Sequence, residues 1–438
     1  MAALRRKIRE IAEALNRKNG GADFRGMNAE LFCAAAESLP GLSPIAAGDT
    51  SGNPVQVLDF FSGAGGASLG FAAINAAAPV FSFLAGCDAD PVSSKTYSAN
   101  FGTPLVCENL LKIAESPSSI RAYLESVGFS HGKPSVLIGC PPCQGFSSHR
   151  KKRWAGEDDG RNNLALAFSR IVAEAGPDVV IMENVPEFLS KKYWQYFSGV
   201  RSALAGAGYT VKQNVYNSAE FGVPQERFRS IVVGMKKNFL LPKGRLRHAE
   251  YRTVRDAISD LPPLEAGESC PNDALHRAVA HKPATLDVIK KVPRDGGSLP
   301  KGEGPKCLTK VNGFYDVYGR LAWDRPSITI THYARNPASG RFTHPAQDRA
   351  LTAREAARLQ SFPDGFLFHG KSDGIYRQIG EAVPPLLSCG IAVDMLIEYL
   401  SPEPTSAQLE GESGIIELPV SSSFSSVIAG FKKTRRLP

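Results

Sequence analysis

Val55-Gln-Val-Leu-Asp59 runs directly into Phe60-Phe-Ser-Gly-Ala-Gly-Gly-Ala-Ser-Leu-Gly70, and few folds accommodate that junction. An apolar run of strand length ends in an acid, and glycines at 63, 65 and 66 then turn the chain tightly into a helix. Such a turn lets backbone approach a ligand and presents the unpaired N–H groups of a helix N-terminus. Close packing alone could demand the same glycines, so the turn by itself does not fix a cofactor. Four further strand-like runs follow, Val80–Asp88, Pro134–Ile138, Asp178–Phe188 and Ser230–Gly234, with the amphipathic helix Arg161–Val172 between the second and third. That alternation predicts an α/β fold built on a largely parallel sheet.

The second strand also ends in an acid, Asp88, where a Rossmann-like unit places the acceptor for a ribose hydroxyl. After the third strand comes Gly139-Cys-Pro-Pro-Cys-Gln-Gly-Phe-Ser147. Two prolines stiffen the exit, which sets the Cys143 thiol at the carboxyl end of the sheet, beside the basic run Ser147–Arg153. Three readings compete for Cys140-Pro-Pro-Cys143: a redox pair or half of a zinc site, structural thiols, or a nucleophile fixed beside the basic loop.

Composition narrows the class without naming it. The chain has 438 residues, enough for two domains, with 51 Lys and Arg against 43 Asp and Glu, a net charge of +8. That excess is compatible with nucleic acid but does not require it. The eight cysteines are scattered, so neither a disulfide framework nor a four-ligand zinc cluster is expected, and reduced thiols fit a cytoplasmic enzyme. No apolar run approaching membrane-spanning length is apparent, and the first residues lack the apolar core of a secretion signal. Leu4, Ile8, Ile11 and Leu15 recur at helical spacing, and Asn28–Leu39 reads as a second helix. The expected divisions are a helical extension and linker over 1–53, a catalytic domain over 54–235 and a loop-rich smaller domain over 236–375. A returning helix over 376–400 and a flexible basic tail over 401–438 complete the chain.

Pro141-Pro-Cys-Gln-Gly-Phe-Ser147 resembles the catalytic-loop motif of the cytosine-5 methyltransferases, and the rest of the chain carries that family's other motifs in order. Asp59–Gly66 resembles its S-adenosylmethionine signature, and Gly86-Cys-Asp-Ala-Asp90 with Tyr97 and Asn100 resembles its second. Glu183-Asn-Val185 looks like its Glu-Asn-Val motif, and Gln225-Glu-Arg-Phe-Arg229 like its Gln-x-Arg-x-Arg motif. Further on, Arg325–Thr331 reads as a strand and Arg349–Asp364 as a helix with a stop; Arg349–Asp364 and Tyr376–Pro385 resemble the family's last two motifs. The resemblance implies a Rossmann-like S-adenosylmethionine-dependent methyltransferase fold with a smaller target-recognition domain. It implies Cys143 as the nucleophile, Glu183 as the group that binds the base, and Arg227 and Arg229 in the active site. Gln144, Ser147 and Gln225 would contact substrate. The cofactor would meet Phe61, Ser62, Gly63, Ala64, Gly65, Gly66, Asp88, Ala89, Asn109, Leu110, Pro142, Glu381 and Ala382. The implied partner is double-stranded DNA, from which the target cytosine is flipped out. A monomer is expected, with a cognate restriction endonuclease acting separately.

Three positions depart from the family pattern: Asn109 stands where an aspartate is usual, Glu381 where an asparagine is usual, and Cys140 where a glycine is usual. The nearest rival is a tRNA cytosine-5 methyltransferase, for which Cys307-Leu-Thr309 is a near match to the usual Cys-Phe-Thr. A Cys-x-x-Cys redox protein, and a DNA-binding protein without catalysis, are the readings from other classes.

Overall fold

A computed structural model of the chain describes residues 23–42, 52–142, 163–305 and 316–412. The expected helix over Leu4–Leu15, the loop from Cys143 to Arg153, Cys307-Leu-Thr309 and the basic end Lys432–Arg436 lie outside the described residues. The chain divides into two compact units, one formed by residues within Met1–Asn217, Phe228–Gly244 and Ser388–Pro438, the other by Ser218–Arg227 and Arg245–Leu387. This partition differs from the expected boundaries, because Gln225, Arg227 and the helix through Glu381 belong to the second unit.

The first unit is a seven-stranded sheet with helices. Its strands are β1 (Val55–Phe60), β2 (Phe81–Asp88), β3 (Leu105–Cys107), β4 (Ser135–Gly139), β5 (Val179–Asn184), β6 (Thr210–Asn217) and β7 (Phe228–Met235), in the order β3-β2-β1-β4-β5-β7-β6. The five from β3 to β5 are parallel, while β7 runs antiparallel to both of its neighbours. From β1 the chain builds outward through β2 on one side and later through β4 on the other. The strand order therefore reverses between β1 and β4, and open α/β sheets bind ligands beyond the carboxyl ends of such a pair.

Buried apolar strands explain the parallel part. All residues of β1 and β4 are buried, as expected where helices cover both faces. Helix α1 (Asn28–Ser38) buries Leu31, Phe32 and Ala35, and it packs on α2 (Gly66–Ala77). Its entry is pinned by Arg25, whose Nε lies 2.6 Å from Glu398 Oε1. Helix α3 (Pro91–Phe101) starts at Asp90, whose carboxylate accepts the Ser93 N–H, and ends at Gly102 with φ 64°. Helix α4 (Asn163–Ala175) sends Phe168 against Phe60, with ring centroids 5.9 Å apart. A Cβ on Gly139 would lie 2.6 Å from the Phe168 ring, so β4 approaches α4 as closely as a glycine allows.

The tail expected to be loose from Ser401 stays ordered as far as Glu412. Ser406–Glu410 is helical, and Glu412 pairs with Lys212 at 2.7 Å. Ser372–Leu400 has the length and mean hydropathy, 1.4, of a membrane span, contrary to expectation. Of its most apolar window 94% is buried within the protein, which is the condition of a core helix.

The second unit has little regular structure, as the sequence predicts for its loop-rich stretch, and it is stitched by arginines. The Arg320 side chain, 1% exposed, donates to the carbonyls of Val292, His344, Gln347 and Ile289 at 2.7–3.1 Å. Where few ladders exist, guanidinium donors satisfy carbonyls that would otherwise be buried unpaired. The expected strand Arg325–Thr331 is absent: its one ladder contact is an isolated bridge between Ser327 and Gln225. The helix expected from Arg349 begins later, as α5 (Ala353–Leu359), because Thr352 caps it in a capping box with Glu355. Helix α6 (Ser372–Glu381) starts ahead of the returning helix expected over 376–400.

Candidate active site

In the first unit the sequence-predicted residues collect at the carboxyl ends of the parallel strands. Phe61 to Gly66 follow β1, Asp88 and Ala89 end β2, Asn109 and Leu110 follow β3, Cys140 to Pro142 follow β4, and Glu183 ends β5. The pairing keeps them level. Phe60 is in register with Gly139, and the Cys140 N–H donates to the Phe60 carbonyl at 3.1 Å. Phe61 and Cys140 therefore leave the sheet side by side. Cys143, Gln144 and Ser147 lie outside the described residues.

The glycine-rich turn answers both of its possible causes. Gly65 has φ 93°, and a Cβ there would lie 2.4 Å from the Phe101 ring, so packing demands it. Gly63 has φ 51° with nothing within 4 Å of a Cβ, so here the backbone borders open space. Phe61, an aromatic residue, adopts φ 59°, a conformation costly for a bulky side chain and concentrated at functional sites. The N–H of Gly63 donates to Asp88 Oδ2 and that of Asp90 to Oδ1, both at 2.9 Å. Burial pushes the Asp88 carboxyl up, against the pull of those amides. Each oxygen retains lone-pair capacity for a hydroxyl. The Ser62 hydroxyl is buried with no partner among the described residues. Open backbone, a fixed carboxylate and an orphaned hydroxyl fit a ligand that offers vicinal hydroxyls and polar groups, as S-adenosylmethionine does.

Beneath the turn lies a buried chain of polar groups. Ser68 Oγ donates to Asp59 Oδ2 at 2.7 Å and lies 2.9 Å from the Tyr97 hydroxyl. Asp59 is 1% exposed, and burial lifts its carboxyl to about 7, with the Ser68 bond opposing and Asp88 reinforcing the rise. The Tyr97 ring also closes on Gly86, where a Cβ would lie 2.5 Å from it. Tyr97 stood among the motif residues, but its part in spacing β2 from α3 had no local signal.

Asn109 caps the short helix Leu110–Ile113, its Oδ1 accepting the Leu111 N–H at 3.0 Å. An aspartate would cap equally well, so the local fold tolerates this departure. Cys140 is a free thiol whose pKa lies well above the ordinary value, through burial first and then the negative charges of Glu183 and Asp59.

Glu183 and Arg229 form the charged pair of the site. Arg229 Nε lies 2.7 Å from Glu183 Oε1, with the two side chains 12% and 13% exposed. Their placement follows from β5 and β7, which pair Asn184 with Ser230. Asn184, overlooked as a site residue although it sits in the Glu-Asn-Val motif, is 1% exposed. Its Nδ2 donates to the Pro141 carbonyl at 3.1 Å, and Ser230 Oγ donates to the Asn184 carbonyl at 3.0 Å. The segment leading to Cys143 is thereby fastened to the strand that carries Glu183.

Gln225, Arg227, Glu381 and Ala382 fall in the second unit. Arg227, 2% exposed, donates to the carbonyls of Ile330, Gly380 and Ala382 at 3.0–3.1 Å, closing the C-terminal end of α6. Gln225 receives the Ile330 N–H at 2.9 Å and donates to Gln360 Oε1 at 2.9 Å. The two arginines expected together thus have different partners: Arg229 pairs with the carboxylate, and Arg227 with backbone.

Comparison with known proteins gives the same picture from sequence and from structure. The family model described as C-5 cytosine-specific DNA methylase matches residues 55–396. The chain is 37% identical to Type II methyltransferase M1.HphI of Haemophilus parahaemolyticus, over 77% of this chain and 86% of the relative. It is 34% identical to Type II methylase M.HgiDII of Herpetosiphon aurantiacus, over 77% and 93%. Among solved structures, the methyltransferase EhMeth of Entamoeba histolytica shares the fold, with a TM-score of 0.52 and 19% identity over 80% of this chain and 98% of that one.

Proposed function

The chain belongs to the C-5 cytosine-specific DNA methylase family and is a DNA cytosine-5 methyltransferase; we propose that it works through a covalent bond between Cys143 and C6 of a flipped-out cytosine. The observation that carries this reading is the Glu183–Arg229 pair, fastened through Asn184 to the segment that leads to Cys143. Use of S-adenosylmethionine follows from the family. Its binding by Gly63, Ser62 and Asp88 is supported by the open turn, the orphaned hydroxyl and the fixed carboxylate. Phe61, Ala64, Gly65, Gly66, Ala89, Asn109, Leu110, Pro142, Glu381 and Ala382 complete the proposed cofactor contacts.

Cytosine C5 is too weak a nucleophile to be methylated directly. Addition of the Cys143 thiolate at C6 moves electron density toward C5 and divides one hard step into two. The ion pair engages one Glu183 oxygen, and the other is assigned to N3 of the base, with which it shares a proton so that N3 is protonated as thiolate addition drives electron density onto it. Arg229 holds that carboxylate in place. S-adenosylmethionine supplies the methyl group to C5. Loss of the C5 proton and expulsion of the Cys143 sulfur then restore the ring. Gln144 and Ser147 are proposed to contact the substrate, while Gln225, 0% exposed with its amide engaged by Ile330 and Gln360, supports the second unit from within. Arg227 serves by fixing the backbone at Ile330 and at the end of α6.

The substrate is proposed to be double-stranded DNA, methylated by a monomer in the cytoplasm, with a cognate endonuclease acting separately. DNA is favoured over tRNA by the DNA-modifying family to which the chain belongs. Labelled methyl transfer to unmethylated genomic DNA and to bulk tRNA tests this, with bisulfite sequencing to map the product. Label is expected in DNA at one short motif, lost in Cys143→Ser and kept in Cys140→Gly. Label in tRNA alone would overturn the reading.

A further inference from the structure

In the second unit a large aromatic side chain is left facing solvent on a rigid support. Tyr333 is 53% exposed, and its ring leans against His332, with centroids 3.8 Å apart and planes tilted by 43°. Both sit on a tight turn in which the Ala334 N–H donates to the Thr331 carbonyl at 3.0 Å. The residue before the turn, Ile330, is held on both sides, its N–H by Gln225 Oε1 and its carbonyl by Arg227 Nη1. Gly380 in α6 lies so close that a Cβ there would be 2.3 Å from the His332 nitrogen. Four separately placed contacts thus converge on a segment whose one large exposed group is the Tyr333 ring.

The surroundings favour a nucleic acid as the occupant. Lys371 and Arg377 are exposed at the start of α6 and along it. The His332 imidazole is pushed below its ordinary pKa, by burial and then by the Arg377 charge, which places that cation in electrostatic reach of the pair. A π-face beside cations suits a base with its phosphates, since every base offers a face to stack on. An enzyme that extrudes a base also leaves an interrupted stack behind it.

We propose that Tyr333, backed by His332, is a stacking platform for a nucleobase of the bound DNA, with Lys371 and Arg377 toward the phosphates. This rests on the DNA methyltransferase reading. The test uses oligonucleotide duplexes carrying the bisulfite-mapped target, with 2-aminopurine placed at successive positions across the duplex. Tyr333→Leu is expected to lower kcat/KM by roughly tenfold or more and to change the 2-aminopurine signal of the complex. Tyr333→Phe and Tyr333→Trp, which keep a ring, should stay within about twofold of wild type on the same stacking argument. With the ring this exposed, the melting temperature of Tyr333→Leu should be unchanged. Wild-type kinetics in Tyr333→Leu, or a loss in Tyr333→Phe as large as in Tyr333→Leu, would overturn the platform. If the wild-type enzyme methylates DNA and Tyr333→Leu equals it, the platform alone fails. If the wild-type enzyme transfers no methyl to DNA, the reading beneath it fails.

Discussion

Glu183→Gln is expected to reduce single-turnover methyl transfer by roughly 10²–10⁴-fold, the usual range for a lost acid–base group. The substitution keeps the shape and removes the charge. Arg229, whose side chain is 12% exposed, would be left without its carboxylate 2.7 Å away. Breaking one member of a buried pair strands the other charge, so a loss of thermal stability should accompany the loss of rate. Arg229→Ala should reproduce much of the defect by freeing the carboxylate to turn away from the base. Because the two act as a unit, the double variant should be little worse than the more damaging single one. Additive losses in a double-mutant cycle, measured by single-turnover kinetics, would mean that the two residues serve separate tasks.

The second large effect is expected in stability. Glu355→Ala should destabilise the second unit by about 3–5 kcal/mol, since it strands the buried Arg349 guanidinium. Arg349 donates to both oxygens of Glu355, at 2.7 and 2.8 Å, with the side chains 0% and 1% exposed. Glu355 also caps α5 through the Thr352 N–H at 2.8 Å. Denaturant unfolding of the intact chain, followed by hydrogen exchange in residues 261–362, would read the loss. The same cluster makes this unit acid-sensitive. Burial opposes the Glu355 charge, but the Arg349 bonds outweigh it and hold the carboxyl down to about 2. Burial holds the His344 imidazole down to about 4, against the attraction of Glu355. Both groups bind protons more weakly folded than unfolded. Their stabilisation is therefore present above the ordinary values of 6.5 for His and 4.5 for Glu, and it is lost as the pH falls through about 4 and about 2. Melting temperature should drop across that window in wild type and drop less in His344→Gln.

What the sequence disclosed was what local chemistry determines. An apolar run, an acid and three glycines were enough to place β1, its turn and α2, because each demand is met within a few residues. The end of β2 at Asp88 was legible for the same reason, but β5 stops at Asn184 rather than Phe188, because Pro186 opens a 3-10 turn. The antiparallel edge was not legible. Thr210-Val-Lys-Gln-Asn-Val-Tyr-Asn217 alternates poorly and is only partly buried over its first half, so its identity as β6 comes from pairing with β7. Arg325–Thr331 reads as a strand by its residue types, yet its backbone groups go to Gln225, Pro224 and Glu226 rather than to a ladder.

Arg227 and Arg229 show the limit for the site. Two residues apart in one motif, they have a carbonyl set more than a hundred residues away in one case and a carboxylate 46 residues away in the other. Nothing in the spacing of the motif separates those roles. They diverge because the chain passes from the second unit back into β7 between them.

The central claim is the covalent bond from Cys143 to cytosine C6, and it can be trapped. In DNA made with 5-fluorocytosine, the C5 hydrogen that must leave as a proton is replaced by fluorine, so elimination stops once the methyl group has been transferred. Incubation with S-adenosylmethionine should yield a protein–DNA adduct stable to denaturation, with peptide mapping placing the added mass on Cys143. Cys140→Gly should still trap, and Cys143→Ser should not. Methyl transfer without a trapped adduct, or an adduct on Cys140, would contradict the account.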